Sequence, residues 1–339
     1  MNTQVLKPDE KSLALAGELL RNGELVGMPT ETVYGLSANA LDGKAVEKIF
    51  KAKGRPMDNP LIVHIADISQ VNDLVSEFPE KAQALAKAFW PGPLTIIMPC
   101  SENVPEQVTA GLSTVAVRFP SHKTALEIIK SAGVPLAAPS ANLSGSPSPT
   151  TAQHVYNDLN GRIPLIIDGG ESNVGLESTV ITVATEVPTL LRPGGITVEQ
   201  LENVIGKVNI DKGVTQMLDV DAVVASPGMK YKHYSPKAHI VILKGSKAEY
   251  INYINNCKDN NTGALCYNDD ISELNVPYVS LGDETDYTSQ AHNLFSALRQ
   301  LDEMGLKTVY AHCPSTEGVG LAVYNRLIRS AGFEVIDLA

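Results

Sequence analysis

The chain has 339 residues, more than one typical core needs, so two domains are expected, and its 43% hydrophobic content is ordinary for a globular protein. Thirty-eight acidic against 27 basic side chains leave a net charge of −11, which argues against broad attraction to nucleic acid or anionic membrane and leaves room for a local basic site. Cys100, Cys257, Cys266 and Cys313 contain no CxxC pair, and the chain has neither a basic leader with an apolar core nor a run near the ~20 apolar residues that span a bilayer, so free thiols in the cytoplasm are expected.

Residues 8–22 have helical spacing, with Leu13, Ala16, Leu19 and Leu20 inward and Asn22-Gly23 as the stop. Leu25-Val26-Gly27-Met28, the polar turn Thr30-Glu31-Thr32 after Pro29, and Val33-Tyr34-Gly35-Leu36 read as strand, functional loop, strand. A helix follows from Ala45, with Val46, Ile49 and Phe50 on one face and Gly54 closing it. Then come Arg55-Pro56, Asn59-Pro60 and a buried strand over 61–65. Lys51 and Lys53 suit a last helical turn, where cations meet exposed carbonyls. With Arg55 in a proline-stiffened loop they also form a rigid cationic cluster that repels itself unless an anion, naturally a phosphate, sits there. His64 has the surroundings of a satisfied core histidine, and a site residue is the other reading.

Residues 68–75 and 79–89 read as helices, broken by Trp90-Pro91-Gly92-Pro93 before a strand over 94–98; the single tryptophan is expected to pack the turn. Along 113–120, Thr114, Ala116 and Arg118 share one face and Val115, Val117 and Phe119 the other. One face is therefore apolar, and the other offers a hydroxyl and a guanidinium, as a plain exposed sheet face also would. A short buried strand over 134–138 runs into a Ser, Pro and Gly-rich stretch over 139–150. That composition suits a flexible linker, but hydroxyls, an amide and free N–H groups after a strand end also suit a nucleotide phosphate, with Thr150-Thr151 capping a helix over 152–159.

Residues 165–170 form another buried strand and tight turn, Gly175-Leu176-Glu177-Ser178-Thr179-Val180-Ile181 follows, and a strand ends at 190–195 before a helix over 198–204. Arg192 reads as a solvated turn residue or a site residue. The pattern weakens from 206 to 224 and is absent over 225–236, where Lys230, Lys232, His233 and Tyr234 give a spacer more chemistry than spacing requires. From about Ala238, strands over 239–243, 263–267, 278–281 and 308–312 alternate with helical runs over 288–304 and 321–330, a small open Rossmann-like α/β sheet. Gly318-Val319-Gly320 does not complete GxGxxG. The expected organisation is a domain over 1–205, a linker over 206–237 and a second domain over 238–339, of α/β class throughout.

The chain lacks GxxxxGK[ST], GxSxG and HExxH. Nucleotide binding would have to use another route, which Lys53, Arg55 and Arg192 with the hydroxyls of Thr114, Ser140 and Ser148 supply.

Several motifs carry a resemblance: PTETVYGL at 29–36, KGRP at 53–56, PLIVH at 60–64, STVAVRFP at 113–120, Ser140-x-Asn142, GLESTV at 175–180, LRPG at 191–194 and PGMKYKHYSP at 227–236. Together they resemble the Sua5/YrdC/YwlC family in its long, two-domain form, the L-threonylcarbamoyladenylate synthases. The resemblance implies an α+β, YrdC-like first domain with a mixed twisted sheet, a smaller Rossmann-like second domain, and a linker folded back over the active site. It implies a nucleotidyltransferase that makes threonylcarbamoyl-AMP and pyrophosphate from L-threonine, bicarbonate or CO2, and ATP, for N6-threonylcarbamoyladenosine at position 37 of tRNA. Carried over position by position, Lys53 and Arg55 are catalytic and Thr32, His64, Arg118, Ala138 and Ser178 bind threonine. Arg55, Asn59, Thr114, Ser140, Asn142, Ser148, Arg192 and Tyr234 bind ATP. Arg118 suits a carboxylate because its planar fork binds at two points.

Mg2+ is expected with ATP, with no protein ligand set for it, and a downstream tRNA threonylcarbamoyl transferase is the expected partner, with tRNA an indirect one and direct tRNA binding left open by the sequence. No protein nucleophile is needed, so catalysis rests on positioning and charge. Two other readings compete. An RNA-binding module would use the same basic concavity, against which the net charge and the lack of interleaved aromatics count. An enzyme adenylating a carbamoyl group from carbamoyl phosphate would share the fold, but the acylphosphatase and zinc-finger segments of such proteins are missing.

Overall fold

Among the residues that the computed structural model describes, 2–217, 234–257, 259 and 261–338, eleven short strands form one mixed sheet. They are β1 (Gln4–Leu6), β2 (Val26–Met28), β3 (Gly35–Asn39), β4 (Ile62–His64), β5 (Leu94–Pro99), β6 (Thr114–Arg118), β7 (Leu136–Ala137), β8 (Leu165–Ile167), β9 (Thr179–Thr182), β10 (Thr189–Arg192) and β11 (Asn209–Ile210). Their order is β1-β8-β2-β3-β7-β4-β6-β5-β9-β10-β11. Parallel pairs such as β4 with β6 and β5 with β9 alternate with antiparallel ones such as β5 with β6. The expected α/β class with a mixed sheet is borne out. The sheet belongs to a compact unit of residues 2–144 and 148–214; a second unit comprises 234–338 with 145–147 and 215–217.

Side-chain chemistry at the ends sets the helices. Asp9 accepts from the Ser12 N–H while Ser12 Oγ accepts from the Asp9 N–H, starting α1 (Glu10–Arg21) with a reciprocal cap. Asp42 starts α2 (Gly43–Lys53), and Gly54, at φ 64°, ends it in the left-handed conformation expected. The helix expected over 68–75 is instead a 3-10 turn at Ile68–Gln70, started by the Asp67 cap, and one turn of helix, α3 (Val71–Leu74). After it come α4 (Glu80–Phe89), α5 (Glu106–Thr109), α6 (Lys123–Ala132), α7 (Ala152–Leu159) and α8 (Val198–Ile205). Thr151 caps α7 by accepting from the His154 N–H, as expected. Trp90 does pack its turn, donating from Nε1 to the Leu94 carbonyl at 2.7 Å.

Period-two alternation divides the sheet's faces. Val63, Ile65, Ile96, Met98, Val115, Val117 and Ile166 belong to the main core, which also takes Val46, Ile49 and Phe50 of α2 and Leu85 of α4. On the other face, Val26, Met28, Leu136, Leu165 and Ile167 pack with Ala16 and Leu20 of α1 and Ile128 and Ile129 of α6. Farther along that face lies a small apolar patch of Ile62, Ile97, Ala116, Val180 and Leu191. Between these two apolar groups the sheet carries polar side chains.

The second unit has five parallel strands, β12 (His239–Lys244), β13 (Thr262–Cys266), β14 (Tyr278–Ser280), β15 (Thr308–His312) and β16 (Val335–Asp337), in the order β14-β13-β15-β12-β16. With α9 (Lys247–Asn255), α10 (Tyr287–Glu303) and α11 (Gly320–Ser330) it is the open α/β sheet expected. A buried Asp270–His312 pair at 2.9 Å, with Tyr250 stacked on the imidazole, ties β15 to the segment after β13. Lys230, Lys232 and His233 of the expected linker lie outside the described residues.

Candidate active site

Strand register builds the centre of the site. His64 of β4 pairs with Arg118 of β6, and Arg118 pairs with Thr95 of β5, so the three side chains share one ladder and one face. The guanidinium and hydroxyl face expected of 114–118 is therefore there, but Arg118 is buried. Its donors are aimed individually: Nη1 to Thr32 Oγ1 at 2.8 Å, Nε to the Gly92 carbonyl at 3.4 Å, and Nη2 2.7 Å from Glu31 Oε1. Burial by itself would raise the Glu31 carboxyl, but the Arg118 charge and hydrogen-bonding from Arg118 and the backbone at Glu31 and Ser121 together outweigh this and hold it below the usual glutamate range.

Thr32 is placed by its own turn. Thr30 Oγ1 donates to the Val33 carbonyl at 2.6 Å and accepts from the Thr32 and Val33 N–H groups, so the loop between β2 and β3 is folded tightly on itself. His64 is buried, and desolvation, with the Arg118 charge second, pulls its imidazole down to about 3. The ring is thus neutral near pH 7. Its Nδ1 faces the Ile62 carbonyl at 3.3 Å, which places the proton on Nδ1 and leaves Nε2 as an acceptor.

Beside this ladder, Ser178 Oγ is 2.8 Å from Thr95 Oγ1. Arg192, at the end of β10, donates from Nε to the Ser178 carbonyl at 3.1 Å and from Nη2 to Ser178 Oγ at 3.2 Å. Arg192 is buried, so the solvated-turn reading fails. The Pro-Gly-Gly that follows has a packing reason, because a Cβ on Gly194 would lie 2.4 Å from the Thr179 nitrogen. Ala138 is buried at the end of β7 and donates its N–H to the Ile62 carbonyl at 3.0 Å.

A second cluster gathers around the loop after β7. Lys53, at the end of α2, donates from Nζ to the carbonyls of Ser140 and Asn142 and to Asn142 Oδ1. Burial, reinforced by the nearby Arg55 charge, lowers this ammonium to about 7. Ser140 Oγ donates to Asn142 Oδ1 at 2.6 Å, and Ser148 Oγ donates to Glu177 Oε1 at 2.5 Å. The Ala141 N–H bonds to the Tyr34 carbonyl and the Tyr34 N–H to the Pro149 carbonyl, both at 2.8 Å. A stretch tied at this many points is not a flexible linker.

Arg55 Nη2 reaches the Asn59 carbonyl at 3.4 Å, and the guanidinium lies over the Phe50 ring. Asn59 itself is buried, and neither atom of its amide has a hydrogen-bond partner among the described residues. Such an amide costs about 1–3 kcal/mol until a ligand satisfies it. Thr114 is half-buried at the start of β6, about 13 Å along the strand from Arg118 at the usual rise per residue. Tyr234 belongs to the second unit, at φ 62°, with its ring 5.2 Å from that of Phe295 and the Arg326 guanidinium 5.9 Å away.

Three residues here were not singled out from the sequence. Glu31 and Glu177 lie inside motifs that were quoted for their neighbours, and Thr95 shows only as the polar residue of a buried strand. Among the described residues, no three His, Cys, Asp or Glu side chains converge to hold a metal.

A family model described as Telomere recombination, that of Sua5, YciO and YrdC, matches residues 18–194, and one described as Threonylcarbamoyl-AMP synthase, C-terminal domain, matches 196–332. The chain is 49% identical over 338 residues to the threonylcarbamoyl-AMP synthase of Bacillus subtilis, covering 98% of this chain and 97% of that one. It is 47% identical over 339 residues to the enzyme of that name from Pyrococcus abyssi, covering 97% of each. The crystal structure of P. abyssi Sua5 complexed with L-threonine matches with a TM-score of 0.90 at 44% identity, covering 100% of this chain and 99% of that one.

Proposed function

Because the chain belongs to the Sua5-type family of threonylcarbamoyl-AMP synthases, we propose that it condenses L-threonine, bicarbonate and ATP into threonylcarbamoyl-AMP and pyrophosphate. The observation that carries this reading is the buried Arg118 guanidinium beside the neutral His64, in a fold whose solved relative holds L-threonine. A planar fork in a dry site is suited to an amino-acid carboxylate.

The threonine ammonium first gives up a proton, and the free amine then captures bicarbonate as a carbamate, releasing water. A carbamate oxygen then attacks the α-phosphorus of ATP, and the bond to pyrophosphate breaks in line. Arg118 takes the threonine carboxylate, and the Nε2 lone pair of His64 and the hydroxyls of Thr32 and Ser178 face its polar groups, with Ala138 at the wall. Lys53 acts by holding the Ser140–Asn142 turn, which with Arg55, Asn59, Thr114, Ser148 and Arg192 receives ATP. Tyr234 is assigned to ATP by its motif. No group in this set is a nucleophile, and none is needed, since fixed donors around developing negative charge supply the catalysis. With no carboxylate cluster among the described residues, Mg2+ fits as a companion of the ATP phosphates rather than a protein-held ion.

The product is a mixed anhydride, reactive toward amines, so a tRNA threonylcarbamoyl transferase consumes it to modify position 37, and tRNA meets this chain only indirectly. Four free cysteines support a cytoplasmic setting, and no helix among the described residues is long and apolar enough to cross a membrane. The test is pyrophosphate release from ATP with L-threonine and bicarbonate each added or withheld. Release that needs both is expected. Release that needs neither, or none in a folded, ATP-binding sample, overturns the reading.

A further inference from the structure

Glu31 is a buried carboxylate that packing does not explain. The residue is 7% exposed, Arg118 Nη2 lies 2.7 Å from Oε1, and the backbone at Glu31 and Ser121 also favours its charged form. Charge and hydrogen-bonding both act between the two groups. Arg118's other contacts, the Gly92 carbonyl and Thr32 Oγ1, are neutral acceptors that aim the fork but carry no charge. The imidazoles of His64 and His122, which burial holds toward their neutral forms, add no anion. Glu31 is the only anion in contact with this guanidinium among the described residues.

A buried guanidinium without a counter-charge is a trap for any small anion. Bicarbonate and pyrophosphate, substrate and product of the proposed reaction, are both candidates to fill it. Neutralised by Glu31, the pair has little net pull on a simple anion. Threonine differs because it is a zwitterion: its carboxylate meets the fork, and its ammonium gains from the nearby carboxylate. We propose that Glu31 is a positioning residue that balances Arg118 in the empty site and so reserves the fork for an amino-acid carboxylate over inorganic anions. The inference rests on Arg118 being the partner of the threonine carboxylate.

The test compares wild type with Glu31→Gln and Glu31→Asp, using sulfate as the competing anion. In Glu31→Gln the KM for threonine should rise about tenfold or more while that for ATP stays within about twofold. Sulfate, without effect on the wild type, should now compete with threonine. Glu31→Asp keeps the charge and should remain insensitive to sulfate even where its threonine KM is raised. An unchanged threonine KM, a parallel rise in both KM values, or no sulfate competition in Glu31→Gln would overturn the proposal. If Glu31→Gln does not fold, sulfate competition in Glu31→Asp overturns it in the same way. Titration of each protein with L-threonine alone, with and without sulfate, separates this from the proposed reaction. A wild type that binds threonine without releasing pyrophosphate refutes the reaction, and the binding ratios still decide the role of Glu31.

Discussion

The Lys53 ammonium donates to the carbonyl of Asn142 at 2.7 Å and to that of Ser140 beside it, so the last turn of α2 holds the loop that follows β7. A charged lysine has three hydrogens for three acceptors, and a neutral one has two. Lowered to about 7, this group loses its third donor within the physiological range. In the proposed site the charged form is the one that receives ATP, so ATP affinity should fall as pH rises above about 7, with proton uptake on binding visible as buffer-dependent heat. Lys53→Met should lose both the affinity and its pH dependence. A flat affinity between pH 6 and 9 in the wild type would refute the assignment.

The same shift acts on stability with its own sign. Folding lowers the Lys53 pKa from 10.5 to about 7, so within that window the unfolded chain holds a proton that the folded one does not. The contribution of this group to stability therefore grows as pH rises from about 7 toward 10.5, and below about 7 it is a constant penalty. The difference in urea midpoint between wild type and Lys53→Met, measured at pH 7 and pH 9.5, should change in favour of the wild type at the higher pH.

Asn59 should show the opposite responses of a residue kept for a ligand. Its unpartnered amide is a burden to the empty protein, so Asn59→Leu should leave apo stability unchanged or raise it by about 1 kcal/mol. ATP affinity should fall about tenfold in the same variant. Loss of stability together with affinity would mean the amide is structural.

Replacing Arg118 with Ala should raise the threonine requirement about a hundredfold and the ATP requirement far less. Arg118→Lys should rescue little, because one ammonium cannot reach Thr32, Gly92 and Glu31 while also engaging a carboxylate. Steady-state KM values for both substrates decide this, and equal damage to the two would remove Arg118 from the threonine end.

His64 should not titrate in the working range. With its pKa lowered from 6.5 to about 3, it stays neutral, so the activity profile should show no step near 6.5 attributable to it. Between those values the unfolded chain binds the proton first, so stability is lost as pH falls from about 6.5 toward 3. His64→Asn should make the unfolding midpoint less sensitive to acid, as chemical denaturation at pH 4 and pH 7 would show.

How far the chain could be read before folding depended on what each residue needed from elsewhere. The alternation of 114–118 is local, and it correctly separated the Arg118 face from the Val115 and Val117 face. Gly54 and Thr151 are local signals as well. The partners of Lys53 are main-chain carbonyls, which no side-chain pattern reports. Glu31 gains its meaning only when β6 brings Arg118 to it, and β1 and β11 are too short for their period to show. Helix α6 went unread although Gly133 closes it, because 113–120 drew the reading to the strand before it.

The edge of the first sheet has a consequence for synthesis. β1 pairs with β8, Gln4 opposite Leu165, and β2 also lies against β8. A chain leaving the ribosome cannot settle its first strand until residues 165–167 have emerged, and Ser178 and Arg192 come later still. Contacts this distant form slowly. A nascent or truncated chain ending before β10 would therefore lack Arg192, and with it one wall of the proposed site.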